Sequence, residues 1–199
     1  DLTDELIACY GEVKCLCEHI HLPVQSGSSR ILEVMNRRYT REHYLELVGK
    51  LRARVPDIAI TTDFIVGFPG ETEEDFEQTL SLVREVRFDA AYTFAYSKRT
   101  LTKAASMTGQ LSRTEKSERL ARLNALVLQY VKESSAKYLG KTEEVLAEGQ
   151  SRMNSGELSG RTRTAKMVNF SGSEDEIGKY LYVCVDKVSA HTLHGMRTR

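Results

Sequence analysis

The chain has 199 residues, with 28 basic against 28 acidic side chains, 41% hydrophobic residues and only three prolines. That balance fits one domain of ordinary size plus a small appendage, and it excludes disordered, collagen-like and coiled-coil chains. No window approaches 18 consecutive apolar residues, and the opening Asp1-Leu2-Thr3-Asp4-Glu5 has neither the cationic nor the apolar part of a signal peptide, so a cytoplasmic protein without a membrane partner is expected.

Cys9, Cys15, Cys17 and Cys184 lie in a chain long enough to need no disulfide staples, and reduced thiols are expected. Their spacing matches neither a zinc C-x-x-C pair nor the usual iron–sulfur patterns. An extended Cys17–His21 segment would place Cys17, His19 and His21 on one face as a metal corner, but a fourth ligand is unassigned. The plainer reading is a strand carrying a buried thiol and hydrogen-bonded imidazoles.

From Glu18 to Tyr96, short apolar runs alternate with helix-period segments, the pattern of β-α units in a parallel sheet. Ile20 to Gln25 reads as a strand, Ser28 to Met35 as a short helix, and Thr40 as the N-cap of a helix with Tyr44, Leu47, Val48 and Leu51 on one face. Ile58 to Val66 is β-branched and strand-like. The turn Gly67-Phe68-Pro69-Gly70 leads to Thr72-Glu73-Glu74-Asp75, a capping-box-like helix start, with Phe76, Leu80 and Val83 as its stripe. Ala90 to Tyr96 is the third strand, and right-handed crossovers would make the set a curved α/β sheet or part of a barrel. Ser112-Arg113-Thr114-Glu115 is a second capping box, opening a helix to about Lys137 before Gly140. Beyond it, strand candidates at Glu143 to Ala147, Leu158 to Phe170 and Tyr180 to Val188, punctuated by glycines, suit a small closed barrel of the OB-like kind.

Zero net charge conceals local asymmetry. Between Ser97 and Arg113 stand Lys98, Arg99, Lys103 and Arg113 with no acid, while Arg30, Arg37, Arg38 and Arg41 crowd an earlier stretch. On the second unit, Arg161 and Arg163 at strand spacing would share a face, with Lys166 nearby, and grip RNA phosphates while Phe170 or Tyr182 stacks on a base. The acidic run Glu71, Glu73, Glu74, Asp75, Glu77 reads as helix-starting chemistry. The turn after Val66 has neither the G-x-G-x-x-G spacing nor a P-loop lysine, so it reads as a tight β-α turn. His21 to Ser28 sits where α/β folds place ligands, with Ser26 or Ser28 as a helix N-cap.

Four blocks carry a family resemblance: His21–Ser28 (HLPVQSGS), Met35–Thr40 (MNRRYT), Thr62–Thr72 (TDFIVGFPGET) and Leu158–Thr164 (LSGRTRT). In this order they resemble the radical S-adenosylmethionine (SAM) methylthiotransferases, the last block resembling the start of their RNA-binding TRAM barrel. The first and last blocks are similar to the branch that methylthiolates isopentenylated adenosine beside the tRNA anticodon; the threonylcarbamoyladenosine branch is the alternative. The resemblance implies the C-terminal part of a radical-SAM partial (β/α) barrel over residues 1–137, followed by a TRAM barrel over 138–199. It also implies SAM and two [4Fe–4S] clusters in the parent enzyme, one cleaving SAM and one supplying sulfur. The cluster cysteines are expected upstream of Asp1, so no metal ligand or catalytic residue is assigned here. The chain alone is expected to be inactive and to bind no cofactor. Its partners would be the tRNA anticodon stem-loop and the missing N-terminal part of the enzyme.

By the same resemblance, Gln25 and Ser26 would hydrogen-bond the methionyl end or ribose of SAM, Arg37 would pair with its carboxylate, and Asp63, Ile65 and Gly67 would flank the adenine. Arg161, Arg163 and Lys166 are the RNA-backbone candidates. One segment departs from the family: Ser97–Ala104 reads SKRTLTKA where YSPRPGTPAA is typical, which removes the turn-forming proline and glycine and adds two lysines. The rival readings are a non-catalytic RNA-binding or interaction module, and an aldolase-like barrel piece that leaves the C-terminal strands unexplained.

Overall fold

A computed structural model describes residues 2–152, 154 and 156–198. The first unit is built on a three-stranded parallel sheet: β1 (His19–His21), β2 (Ala59–Val66) and β3 (Ala90–Ala95), in spatial order β1-β2-β3. Around it run α1 (Asp4–Glu12), α2 (Ser29–Val34), α3 (Arg41–Arg54), α4 (Glu73–Val86), the short α5 (Lys103–Ser106) and the long α6 (Arg113–Ala136). Both expected capping boxes form: the Thr72 and Ser112 hydroxyls take the amides of Asp75 and Glu115, whose carboxylates take the cap amides in return. Thr40 caps α3 as its position predicts.

Strand parity divides the sheet into two different faces. Ile60, Phe64 and Val66 of β2 are buried with Val48, Leu51, Phe76, Leu82, Val83, Phe88 and Leu123 in one core. The opposite face carries Thr61, Asp63 and Ile65, in register with Ala90, Tyr92 and Phe94 of β3. There Tyr92 is 62% and Phe94 53% exposed. Two features differ from the sequence expectation. The first strand is three residues long, because Pro23 cannot continue the ladder, and beyond it the chain rejoins β2 at the isolated Gln25–Phe64 bridge. The helix α1, capped by Thr3, was not signalled.

The second unit is a closed barrel in the order β4-β5-β6-β8-β7. Its strands are β4 (Thr142–Gln150), β5 (Glu157–Thr162), β6 (Met167–Ser171), β7 (Tyr180–Val188) and β8 (Thr192–Arg197), all pairs antiparallel except β6 with β8. Val145, Ala147, Leu158, Val168, Phe170, Leu181, Val183, Val185 and Leu193 fill it. The single candidate strand Leu158–Phe170 is in fact two strands around a turn, where Ala165 takes φ 60, and β8 was not foreseen. The break in parity corrects one expectation directly: Phe170 is 1% exposed and belongs to the core, so it has no free ring for a base, whereas Tyr182 points outward.

The barrel is fastened to the sheet unit by that same turn. Arg163 donates to both Glu18 carboxylate oxygens (2.7 and 2.9 Å) and to the carbonyls of Lys14 and Leu16. Lys166 reaches the Asp89 carbonyl at 3.2 Å, Tyr138 shares a 2.6 Å hydrogen bond with Thr164, and Ser135 donates to the Ala190 carbonyl. Substitution Phe170→Ala is expected to cost about 3–5 kcal/mol of unfolding free energy by denaturant titration. Tyr182→Ala should stay within about 0.5 kcal/mol of the parent in the same measurement.

Candidate functional site

The C-terminal edge of a parallel sheet is where α/β folds gather ligands, and here two turns meet at it. The first continues from β1. Leu22 and Gln25 donate to the carbonyls of Thr61 and Asp63, and Ile65 donates back to the Gln25 carbonyl at 2.9 Å. This two-sided grip holds Gln25 at φ 72, a left-handed conformation that costs a non-glycine residue about 1 kcal/mol or more and that clusters at functional sites. Gly27 then passes so close to α4 that a Cβ would lie 2.5 Å from the Gln78 carbonyl oxygen and the Thr79 Cα. Its amide donates to the Thr79 hydroxyl at 2.9 Å. Ser28 is the N-cap of α2.

The second turn, Gly67–Glu71, is held by a buried carboxylate. Glu71 Oε2 accepts from the Gly67 amide (2.7 Å) and from Arg119 Nη1 (2.6 Å), which α6 brings across. Burial raises the Glu71 carboxyl above its ordinary value against both of these bonds. Its other oxygen has no hydrogen-bond partner among the described residues.

Asp75, at the start of α4, ties the two turns together. Its carboxylate accepts from the Ser28 hydroxyl (2.7 Å), the Thr72 amide (2.8 Å) and the Thr72 hydroxyl (2.7 Å), and it pairs with Arg30. Arg30 in turn donates to the Gly70 carbonyl at 2.7 Å. Burial would raise the Asp75 carboxyl, but Arg30, Ser28 and Thr72 outweigh it and hold the group far below the usual carboxylate range.

The open sheet face leads up to these turns. Thr61 Oγ1 bonds both His19 Nε2 (3.2 Å) and His21 Nδ1 (3.0 Å). His21 Nε2 lies 3.5 Å from Asp63, and its ring meets Tyr92 edge-on at 6.2 Å. Burial, the largest influence, lowers the His19 pKa. Cys17, expected to be a buried thiol, is exposed. Among the described residues, no three His, Cys, Asp or Glu side chains converge as a metal site.

Of the residues singled out for SAM, Gln25, Asp63, Ile65 and Gly67 are brought together along β2 and its neighbouring turn. Ser26 is buried, and its hydroxyl takes the Ser28 amide at 3.2 Å, so that oxygen is engaged within the turn. Arg37 follows left-handed Asn36 and is exposed, with no hydrogen bond or ion pair to the others among the described residues. Of the RNA candidates, Arg161 faces a cleft of ≈ 480 Å³ between barrel and sheet unit, with Lys14, His19 and Tyr180, and its Nε lies 3.3 Å from Glu148. Arg163 sits beyond β5 and holds the junction, and Lys166 is 8% exposed and inside it. Neither presents the strand face expected of it, because the chain turns between them. Sequence reading gives Arg30 only as one of a cationic cluster and does not reach Arg119, Tyr92 and Phe94; the alternation in Ala90–Ala95 carries the signal for the two aromatics, while nothing local marks Arg119 or the partner of Arg30.

Comparison with known proteins agrees with this geometry. Residues 1–83 match the radical SAM superfamily model and residues 136–196 match the TRAM domain model. The chain is 55% identical over 195 residues to the tRNA-2-methylthio-N(6)-dimethylallyladenosine synthase of Thermoanaerobacter sp. strain X514. It is 54% and 51% identical to the proteins of the same name from Caldicellulosiruptor saccharolyticus and Alkaliphilus oremlandii. The chain thus joins a radical SAM segment to a TRAM domain, and over that span it is similar to these synthases. Each of these alignments covers 98% of this chain and 41% of the relative, so the chain spans about two fifths of the length of the curated methylthiotransferases it matches. The radical SAM match contains both turns and the start of α4, and the TRAM match takes in nearly all of the closed barrel.

In this chain, Asp75→Ala should lower stability by about 3 kcal/mol or more at neutral pH, because it leaves Arg30 and the two turns without their shared acceptor. A depressed native carboxyl contributes stability above its unfolded value, ordinarily 3.8, and loses it as pH falls toward the native value. Thermal unfolding followed from pH 7 to pH 2 should therefore show a decline below about pH 4 in the parent that is reduced in Asp75→Ala.

Proposed function

We propose that this chain works within a radical SAM enzyme that adds a methylthio group to isopentenylated adenosine next to the anticodon of tRNA. Residues 1–137 would supply part of the SAM-binding barrel and residues 138–199 the RNA-binding unit. The observation that carries this reading is the pairing, in one chain, of a parallel sheet whose C-terminal edge is pre-shaped by two pinned turns with a closed barrel docked at the N-terminal ends of β1 and β3. A cytoplasmic location accords with that role, and no helix among the described residues is long and apolar enough to cross a membrane.

SAM fits the residues present. The strained Gln25 backbone, the Asp63 carboxylate, the Ile65 side chain and the Gly67 turn form a continuous ledge for an adenosyl group, with Arg37 as the proposed partner of the methionyl carboxylate. When bound, SAM supplies a transferable methyl group and the precursor of a deoxyadenosyl radical. The chain's own residues bind and orient it: Gln25 and Gly67 are fixed before any ligand arrives, which reduces the ordering cost of binding. Iron–sulfur clusters do not fit the cysteines of this chain. Cys15 and Cys17 are exposed, and no thiol-containing group of three ligands converges among the described residues, so no step is derived through a cluster here.

For RNA, Arg161 and the outward Tyr180 and Tyr182 of β7 line the barrel's accessible side, whereas Arg163 and Lys166 support the junction behind it. An RNA anticodon stem-loop titrated against the chain over a salt series is expected to bind with an affinity that falls steeply as salt rises. Arg161→Gln should weaken binding and reduce the magnitude of the salt slope by about 1. Absence of binding by the parent chain would overturn the RNA reading of the barrel.

A further inference from the structure

The loop that departs from the family pattern keeps a shape that its own sequence does not favour. Between β3 and α5 the chain makes a four-residue turn, Arg99 to Thr102, in which the Thr102 amide (3.3 Å) and hydroxyl (2.8 Å) both donate to the Arg99 carbonyl. Leu101 is the third residue of that turn and adopts φ 69, a left-handed conformation that such turns ordinarily give to glycine. A γ-branched residue held there is strained, and its side chain gains nothing from the fold in return: Leu101 is 103% exposed, the most exposed large hydrophobic residue described. Around this apolar tip stand Lys98, Arg99 and Lys103. None of them has an ion-pair partner among the described residues, and no acidic residue occurs from 97 to 113. This sets the loop apart from the barrel, where Arg161 and Arg163 are both matched to carboxylates.

The loop is also anchored where it matters. The Tyr96 amide donates to the Val66 carbonyl at 2.8 Å, the Tyr96 ring packs edge-on against Phe68 at 5.1 Å, and the Gly70 amide donates to the Gly109 carbonyl at 2.9 Å. Both ends of the segment are therefore tied to the Gly67–Glu71 turn, and the tip projects from a fixed base at the C-terminal edge of the sheet.

We propose that Ser97–Ser106 is an RNA-engaging wedge, in which Leu101 inserts against stacked bases of an unpaired loop while Lys98, Arg99 and Lys103 hold the flanking phosphates. The proposal rests on the RNA reading given above and adds to it a second contact region, remote from the barrel arginines. The physical case is the combination of a leucine displayed without packing and a cationic surround without acids. Apolar wedges of this kind separate base steps, and an enzyme that acts on a base within a stack must unstack it. A protein partner would call for a broader apolar surface than one side chain, and the unmatched cations select a polyanion.

The test uses the full 199-residue chain and a short RNA stem-loop with 2-aminopurine in its loop, whose fluorescence rises on unstacking, together with a fully paired duplex of the same length. The parent should bind the stem-loop more tightly than the duplex and raise the fluorescence. Leu101→Gly relieves the left-handed strain and should melt no lower than the parent, yet bind the stem-loop about tenfold more weakly and lose the fluorescence rise. Leu101→Asn, which tolerates the same backbone without the apolar tip, should behave in the same way. The double change Lys98→Gln and Lys103→Gln should lower the salt slope by about 1–2 while the remaining complex still unstacks the probe. Unchanged stem-loop affinity and fluorescence in Leu101→Gly and Leu101→Asn would overturn the wedge and leave the RNA reading standing. Equal binding of duplex and stem-loop, with no fluorescence change, would do the same. No binding of either RNA by the parent would overturn both.

Discussion

The site depends on one carboxylate. Asp75 lies at the first turn of α4, where a helix end offers unsatisfied amides, and a carboxylate there is favoured by the dipole alone. Its neighbours add far more than the dipole does. It closes the capping box with Thr72, accepts the hydroxyl that caps α2, and neutralises Arg30, which holds the Gly70 carbonyl. Two turns more than forty residues apart in sequence thereby share one acceptor, and each charge-assisted bond to it contributes on the order of 1.5–3 kcal/mol. The Glu71–Arg119 pair performs a parallel task from the other side, joining the second turn to α6. The edge of the sheet is thus rigid because its polar groups are largely satisfied by one another, with one Glu71 oxygen and the Tyr96 hydroxyl as the exceptions among the described residues.

How much of this was legible in the sequence follows from how local each interaction is. Capping boxes at Thr72 and Ser112 and the cap at Thr40 involve residues three apart, so their spacing states the geometry. The β-branched run Ile58–Val66 and the glycine-punctuated second half point to the parallel sheet and the barrel class, and two of the four family blocks fall on the two turns at the sheet edge. What could not be read is the long-range half of the picture. The sequence shows Asp75 as helix-starting chemistry, which is correct but incomplete, because Arg30 is forty-five residues away. Arg119 is a polar position on a long helix, and only packing of α6 across the turn makes it a buried partner.

The barrel arginines teach the complementary lesson. Arg161 and Arg163 share a strand face only if the strand continues through both, and β5 instead ends at Thr162, between them. Lys166 shows the same effect more strongly, since its charge lies in the junction, where burial lowers its pKa, and it is satisfied by the Asp89 carbonyl. Which barrel cations are left facing solvent is therefore decided by how the domains dock, and composition alone does not supply that.

Asp89 gives the junction a further meaning. Its carbonyl takes Lys166 from the barrel, while its carboxylate accepts the Ile60 amide at the start of β2 and pairs with Ser134 of α6. The barrel, the central strand and the longest helix thus converge on a single residue at the head of β3. Two units joined through such a hub lose their independence in melting: the barrel cannot detach without uncovering a buried ammonium group, and the strand ladder cannot fray from that end without releasing the barrel. Heat should accordingly take the chain apart in one calorimetric transition, with equal van't Hoff and calorimetric enthalpies, although its sequence is patterned as two domains.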